Sequence, residues 1–527
     1  MMNLCQSIVR AAECYPDRTA LSIPLPDGKY TVLSYRRFMR LAAHFQRQLL
    51  QAGLVTGDRV VLMTPPGQYL YPLLVAMLGA GIVAVMPERG LPKAQFRAAL
   101  RLCRPKGIIT VATAGKFWPL FPELWSMKRF VTDRAVPGMK RLNVSFSPPD
   151  KVFICQSLPS DTTGLITFTS GTTGIPKGAN RTHQSLTAQR LAIETCFPSQ
   201  EQDIDLHSFP VLVLQTLSTG QHSVLPRFDF SRPGAVNPAE VSEQITQLGV
   251  TRISGAPAFM QKITRYAQEQ QLSFPEVRQV VIGGAPGCKA LYQGCLKAFP
   301  RAQHAVIYGS TEAEPIATVD IRSLTEQWSQ HAGYLVGSSV NAAEICLRKI
   351  GGQQKCISFE PGEVGEILVA GPHVLSAYID NPQATRQYKI PRPQGGVWHC
   401  TGDVGFFDDD GQIWLVGRVS DEIIISPGRT VYPYPLEKLV NDLEGTERSA
   451  LIAHPQGGAA LILQCTRLPQ ALPAILDEFQ LADVTRIYQI SEIPVDIRHN
   501  SKVNRLKLRT LLEKNALTIC QLNRESL

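Results

Sequence analysis

The sequence lacks the features that mark a secreted, zinc-binding or nucleic-acid-binding protein. Its 12 cysteines among 527 residues form no CxxC pair and no Cys/His cluster with zinc spacing, so they indicate reduced thiols. The net charge is +9 at pH 7, but there is no dense basic run, which argues against a nucleic-acid partner. The N-terminus mixes polar and charged residues where a signal peptide needs an apolar block. These absences predict a cytoplasmic protein.

Long apolar runs are also scarce, and a single segment could suggest a membrane span. Residues 69–86 are uncharged and mostly apolar, about as long as the ~18 residues that flag a membrane helix. Pro72 lies inside this segment, and Gly79-Ala80-Gly81 interrupts it. We therefore predict a buried helix (LYPLLVAML), a glycine stop and a buried strand (GIVAVM), with no membrane span.

Short β-branched runs alternate with longer helical stretches through most of the chain. Predicted strands are RVVLM from residue 59, GIVAVM from 81, GIITV from 107, LITFT from 165, RISGA from 252, VVIGG from 280 and HAVIYG from 304. Such alternation is typical of a doubly wound α/β architecture with parallel strands.

The pattern changes after residue 363 to short strands and turns, where a DDDG turn between FF and IWLV predicts an antiparallel hairpin. Beyond Arg418 a smaller piece follows, with strands EIIIS and SALIAH and a helix predicted over residues 435–443. We expect an α/β protein with a large N-terminal domain over residues 1–417. A small, mobile α+β domain over residues 418–527 would follow a hinge near Arg418.

The strongest chemical signal is GLITFTSGTTGIPKGANRTH, residues 164–183. A predicted strand leads into a turn whose glycines let backbone N–H groups point at one place, which makes an anion nest. Lys177 adds a positive charge, although the Gly178 that comes after it departs from the Walker pattern. The loop therefore predicts polyphosphate binding, by Thr169, Ser170, Gly171, Thr172, Thr173, Gly174 and Lys177.

This loop resembles, nearly letter for letter, the SGTTGxPKG signature of the adenylate-forming superfamily of acyl-CoA synthetases, peptide-synthetase adenylation domains and luciferases. Further matches occur in the family's order. They are GGAP at 283–286, which resembles the adenine-side turn, YGSTE at 308–312, TGD at 401–403, GR at 417–418 and SPGRTVYPYPLE at 426–437.

The resemblance implies ATP and Mg²⁺ as cofactors and a role for each matched residue. Thr311 would donate to a phosphate, and Glu312 would hold Mg²⁺, which prefers oxygen ligands. Asp403 and Arg418 would bind the ribose, since a carboxylate accepts from two hydroxyls. The adenine side would be formed by Gly284, Ala285, Pro286, Tyr308 and Gly309.

A second lysine is implied near the C-terminus, in PVDIRHNSKVNR at 494–505. Lys502 matches the family lysine that bridges the carboxylate and the α-phosphate during adenylation, with Arg505 three residues on. A cation there would stabilise the charge that develops on the phosphorus. The sequence departs from the family in having Ser501 where glycine is usual. In the family the small domain rotates between two half-reactions, with a pivot here at Ser420 by position.

The segment DLHSFPVLVLQTLSTG, residues 205–220, lies where the family builds its acyl pocket. We predict substrate contacts from Phe209, Pro210 and Val213. An apolar lining favours a fatty acid, because about 0.8 kcal/mol is gained per buried CH₂. The alternative interpretation is a plain core strand. The peptide-synthetase-like FDFS at 228–231 falls too late and is discounted.

Two local features resemble the β-lactone synthetases of bacterial long-chain olefin biosynthesis. These are PVDIRHNSK, which replaces a short GK loop, and YGSTEAEPI, which extends the magnesium motif. The stretch FPVLVLQTLSTGQHSVLP at 209–226 contributes to the same resemblance. Three hypotheses are open: transfer of the activated acyl group to CoA or a carrier-protein thiol, closure of a β-lactone by the acid's own hydroxyl, or a catalytically silent ATP-binding scaffold. Gly428 sits where relatives pass the pantetheine arm, although it could equally be a turn residue.

Overall fold

The computed structural model describes residues 3–88, 90–143, 152–169, 177–230, 235–351, 360–496 and 502–520. Within these ranges the helices are α1 Cys5–Cys14, α2 Tyr35–Gln51, α3 Leu70–Gly79, α4 Lys93–Cys103, α5 Ala112–Gly115, α6 His183–Cys196, α7 Leu212–Ser218, α8 Pro238–Gln247, α9 Pro257–Glu269, α10 Lys289–Ala298, α11 Ile321–Glu326, α12 Pro382–Tyr388, α13 Pro433–Asn441, α14 Leu472–Glu478 and α15 Arg505–Glu513.

The strands of the N-terminal half are β1 Thr19–Pro24, β2 Tyr30–Ser34, β3 Arg59–Met63, β4 Val83–Met86, β5 Gly107–Thr110, β6 Lys128–Val131, β7 Lys140–Arg141, β8 Thr163–Thr169, β9 Lys177–Thr182, β10 Ile204–His207, β11 His222–Val224, β12 Arg252–Gly255, β13 Gln279–Gly283 and β14 Gln303–Ser310. The later strands are β15 Ala313–Asp320, β16 Tyr334–Ser339, β17 Glu344–Arg348, β18 Gly365–Ala370, β19 Lys389–Pro391, β20 Val397–Phe407, β21 Ile413–Arg418, β22 Ile423–Ser426, β23 Arg429–Val431, β24 Thr446–Ala453, β25 Ala459–Cys465, β26 Thr485–Gln489 and β27 Thr518–Cys520.

A seven-stranded sheet in the order β7-β6-β5-β3-β4-β8-β9 carries the predicted phosphate loop. Its strands are parallel except β9, which runs antiparallel to β8. The apolar run at 69–86 is the buried helix α3 followed by β4, as predicted. Among the described residues, no helix is long and apolar enough to cross a bilayer.

A second, 14-stranded sheet contains the other predicted strands of the large domain. Its strands β1, β11, β10, β12, β13 and β14 are neighbours and run parallel, which confirms the expected α/β pattern. The strands after β14 are antiparallel, and β20 and β21 form the predicted hairpin. Asp408 closes the hairpin turn by accepting hydrogen bonds from the Gln412 amide and the Trp414 indole, both 2.8 Å long.

The smaller C-terminal domain has its own four-stranded sheet, β24-β25-β26-β27, and its own apolar clusters. The predicted strands EIIIS and SALIAH correspond to β22 and β24. The predicted helix begins two residues earlier than expected, because Pro433 occupies its first position, where a missing N–H costs nothing. Arg505 joins parts of this domain through ion pairs to Glu437 (2.6 Å) and Asp421 (3.0 Å).

Candidate active site

Three groups of predicted site residues lie at or just after the ends of parallel strands of the large sheet. Residues 209–210 come after β10, residues 284–286 after β13, and residues 309–312 end or follow β14. Because these strands are parallel, their carboxyl ends meet at the same edge, which is where open α/β sheets bind ligands. Gly284 has a φ of +90°, a conformation that side chains rarely adopt, so the turn after β13 requires glycine.

The first cluster at this edge joins Tyr308, Asp403 and Arg418. The Tyr308 hydroxyl donates to Asp403 Oδ2 at 2.7 Å, and Arg418 Nε lies 2.9 Å from Asp403 Oδ1. Asp403 and Arg418 are register partners on β20 and β21, so the hairpin itself brings them together. Arg418 also donates to the Thr401 carbonyl at 3.1 Å.

Burial and the Asp403 carboxylate both raise the pKa of Tyr308, so its hydroxyl stays protonated and donates. An ionised carboxylate has about four lone-pair sites, and these two contacts occupy only two of them. Asp403 therefore keeps the capacity to accept hydrogen bonds from two further hydroxyls, which suits a ribose diol.

The second cluster is built around Glu312. Its Oε1 accepts a hydrogen bond of 2.9 Å from the Tyr378 hydroxyl. The Lys177 ammonium lies 3.6 Å from the ring centroid of Tyr388 and 5.8 Å from that of Tyr378. Two tyrosines outside the motifs matched in the sequence thus hold the loop lysine near the predicted metal ligand.

Lys389 and His399 complete this second cluster from β19 and β20, where they face each other in register. Burial lowers the pKa of Lys389 to about 8, although Glu312 opposes this. Burial and then Lys389 lower the pKa of His399 to about 3, so its ring is neutral at physiological pH. Burial alone would raise the pKa of Glu312, but the Lys389 ammonium and the hydrogen bond from the Tyr378 hydroxyl hold it below its ordinary value.

A buried arginine supports the turn that carries Thr311. Arg181, on β9 just beyond the loop lysine, donates to the Thr311 carbonyl at 2.8 Å and to Gln189 Oε1 at 2.9 Å. Gln189 in turn donates to Glu314 at 3.2 Å. The sequence shows Arg181 only as part of the loop motif, so its role in joining the two sheets was missed.

The Glu312 cluster has the chemistry to hold Mg²⁺ together with a nucleotide. Among the described residues, no group of three or more His, Cys, Asp or Glu side chains could hold a metal by itself. Mg²⁺ is usually bound by one or two carboxylates plus substrate phosphates and waters, so the single carboxylate of Glu312 fits that ion.

The remaining predicted residues form three groups: the phosphate loop, Lys502 and the acyl segment. Ser170, Gly171, Thr172, Thr173 and Gly174 are outside the described residues, although the strands that flank them pair Thr169 with Lys177. Lys502 is exposed on the C-terminal domain, and its backbone amide donates to Asp496 Oδ1 at 2.7 Å.

Residues 205–207 of the predicted acyl segment lie in β10, but residues 212–218 form α7, so the alternative interpretation as a core strand is wrong for the apolar part of the segment. Phe209 and Pro210 are half-buried next to the sheet edge. Val213 is only 1% exposed and belongs to the apolar cluster that also contains α1 and α3.

Comparisons with known proteins agree with this geometry. The sequence profile described as "AMP-binding enzyme" matches residues 8–379. An olefin beta-lactone synthetase from Stenotrophomonas maltophilia is 28% identical over 96% of this chain and 97% of its own. A 2-succinylbenzoate–CoA ligase from Geobacillus kaustophilus is 28% identical over 95% and 97%. The solved amide bond synthetase from Marinactinospora thermotolerans superimposes with a TM-score of 0.80, at 21% identity, over 96% of this chain and 99% of that one.

Proposed function

We propose that the substrate of this chain is a β-hydroxy fatty acid. The premise is that the chain belongs to the AMP-binding enzyme family and activates a carboxylic acid as an acyl-adenylate. The observation that carries the adenylation part of this proposal is the pair of clusters at the sheet edge. Tyr308, Asp403 and Arg418 offer contacts for a nucleoside, and Glu312 with Lys177 offers contacts for Mg²⁺ and phosphates.

The hydrophobic nature of the acid is supported by the two residues just beyond the carboxyl end of β10. Phe209 and Pro210 are half-buried and come just after β10, at the same sheet edge as the turns after β13 and β14. Val213 is too deep in the core to be reached without a rearrangement of α7. We therefore propose Phe209 and Pro210 as the acyl contacts, with Val213 as support behind them.

The acceptor is the finer part of the proposal, and we favour the acid's own β-hydroxyl. Its oxygen would attack the activated carbonyl carbon, AMP would leave, and the hydroxyl proton would pass to solvent, closing a four-membered lactone. The main support is the similarity to olefin beta-lactone synthetases over nearly the whole of both chains. An internal nucleophile gains its rate from proximity and needs no thiol.

Transfer to CoA or to a carrier-protein thiol is the second candidate, favoured by the similarity to the CoA ligase. Gly428 gives this second candidate no support. Gly428 has a φ of +80° in the tight turn between β22 and β23, and nothing lies within 4 Å of where its side chain would be. A turn that needs a positive φ explains this glycine without a pantetheine arm.

We further propose that Lys502 enters the site for adenylation, by rotation of the C-terminal domain about Ser420. Support comes from the short helical turn over residues 419–421, which separates β21 from the C-terminal domain. Arg505 pairs with Asp421 beside this turn, so a rotation there would carry the Lys502 segment with it.

The test incubates pure protein with ATP, Mg²⁺ and a panel of acids that includes matched fatty and β-hydroxy fatty acids, with and without CoA. We expect pyrophosphate release with both acid series. From β-hydroxy acids we also expect a CoA-independent product lighter than the acid by one water. A thioester formed only with CoA would support the second candidate. Absence of pyrophosphate exchange with every acid would favour the silent scaffold.

A further inference from the structure

A second lysine lies inside the Glu312 cluster, outside every family motif in this sequence. Lys389 is the first residue of β19 and is only 4% exposed. Its ammonium lies 5.6 Å from the ring centroid of Tyr378, the same ring that Lys177 approaches to 5.8 Å. The two lysines therefore share one aromatic ring, whose hydroxyl is bound to Glu312.

The Lys389 ammonium is buried, yet it has no hydrogen-bond partner among the residues that the structure describes. Burying an ammonium without hydrogen bonds is costly, so such a group is normally paired. Glu312 is the carboxylate whose charge acts on it, but the hydrogen bond that Glu312 accepts there comes from Tyr378. His399 faces Lys389 across the strand pair. Its Nδ1 donates a hydrogen bond to the Tyr388 carbonyl, and its ring supplies no negative charge.

The charges of the cluster do not balance without an anion. Lys177 and Lys389 are two cations, and Glu312 is one carboxylate. If a divalent cation took Glu312 as its ligand, Lys389 would lose the negative charge of that carboxylate. A polyphosphate would replace that charge and would supply the missing hydrogen-bond acceptors.

We propose that Lys389 is a second phosphate-binding lysine of this site, which contacts the pyrophosphate part of ATP opposite Lys177. In the free protein Glu312 balances its charge, and on nucleotide binding the β- and γ-phosphates do so. The nucleoside contacts of Tyr308, Asp403 and Arg418 are separate from it. This inference rests on the family's ATP chemistry and does not depend on the identity of the acid or of the acceptor.

The test measures binding of inorganic pyrophosphate, ATP and AMP by titration calorimetry, with EDTA present and then with Mg²⁺. The variants are Lys389→Met, which keeps the length and removes the charge, Lys389→Gln as a second neutral replacement, and Lys389→Arg, which keeps the charge. The matched control is Lys297→Met, at an exposed lysine on α10. Far-ultraviolet circular dichroism and AMP binding show whether each variant is folded.

We expect Lys389→Met and Lys389→Gln to weaken pyrophosphate and ATP binding about 10- to 100-fold, the effect of a lost charge-assisted hydrogen bond. AMP binding should change little, and Lys389→Arg should retain part of the pyrophosphate affinity. Pyrophosphate binding that stays at the wild-type level in a folded neutral variant would overturn the inference. So would an equal loss of AMP affinity, which would show a structural role.

Different results would overturn the proposed function and the role of Lys389. Wild-type protein that binds no ATP would overturn the proposed function and this inference with it. Wild-type binding of ATP that the neutral variants leave unchanged would overturn the role of Lys389 alone.

Discussion

Removing the Tyr378 hydroxyl tests whether the Glu312 cluster is a metal–nucleotide site. Tyr378→Phe deletes a donor 2.9 Å from Glu312 Oε1 and keeps the ring that Lys177 and Lys389 approach. A hydrogen bond to a charged group contributes ~1.5–3 kcal/mol, and an ionised carboxylate that loses its donor is free to turn away. We therefore expect Mg·ATP affinity to fall by about 10- to 100-fold, with AMP affinity little changed.

The same substitution should also move the acid limb of activity. The Tyr378 hydrogen bond is one of the groups that hold the pKa of Glu312 below its ordinary value. Without it that pKa rises, so the carboxylate becomes protonated at a higher pH and the acid limb shifts toward neutrality. The assays are calorimetry with Mg·ATP and pyrophosphate exchange across pH.

Tyr266→Phe, on α9, is the matched control, because it removes a tyrosine hydroxyl that is not part of the cluster. If Tyr378→Phe keeps wild-type Mg·ATP affinity and an unshifted acid limb, the hydrogen bond does not orient a metal ligand. Glu312 would then have to be reassigned.

Three further substitutions test other parts of the molecule. Lys502→Ala should slow adenylation by about 10²–10³-fold and leave acyl transfer from supplied acyl-AMP largely intact. Pyrophosphate exchange measures the first step and single-turnover assays the second. Equal losses in both steps would contradict a role of Lys502 in adenylation. Val213→Asp should lower the unfolding temperature sharply, because an unpaired carboxylate would enter the core; a stable variant with a raised KM for long acids alone would instead make Val213 a pocket residue. Lys438, whose ammonium lies 4.8 Å and 5.3 Å from the ring centroids of Trp328 and Trp414, has a pKa lowered by burial to about 8. Between pH 8 and 10.5 the unfolded chain therefore binds more protons than the folded chain, so the free energy of unfolding should rise with pH in the wild type relative to Lys438→Met. Urea titrations across this pH range measure the difference. Wild-type and Lys438→Met stabilities that change in parallel with pH would refute the burial of a charged lysine.

Local sequence signals determined the elements of this protein and the motif residues of its site. The strands that were predicted from short β-branched runs occur in both large sheets, and the helix–glycine–strand unit at 70–86 arises from its own composition. Asp403 and Arg418 could be placed together because one hairpin, readable from its DDDG turn, pairs them. In each case the interacting residues lie close along the chain, where periodicity and turn chemistry carry the information.

The tertiary structure alone decided the support around those motif residues. Tyr378 reaches Glu312 across 66 residues of sequence, and Arg181 reaches the Thr311 carbonyl across 130. Lys389 looks like any surface lysine in the sequence, but β19 turns it into the interior. Such contacts depend on which strands become neighbours and on which face a side chain falls. A one-residue change of register would reverse that face, and no local pattern records it.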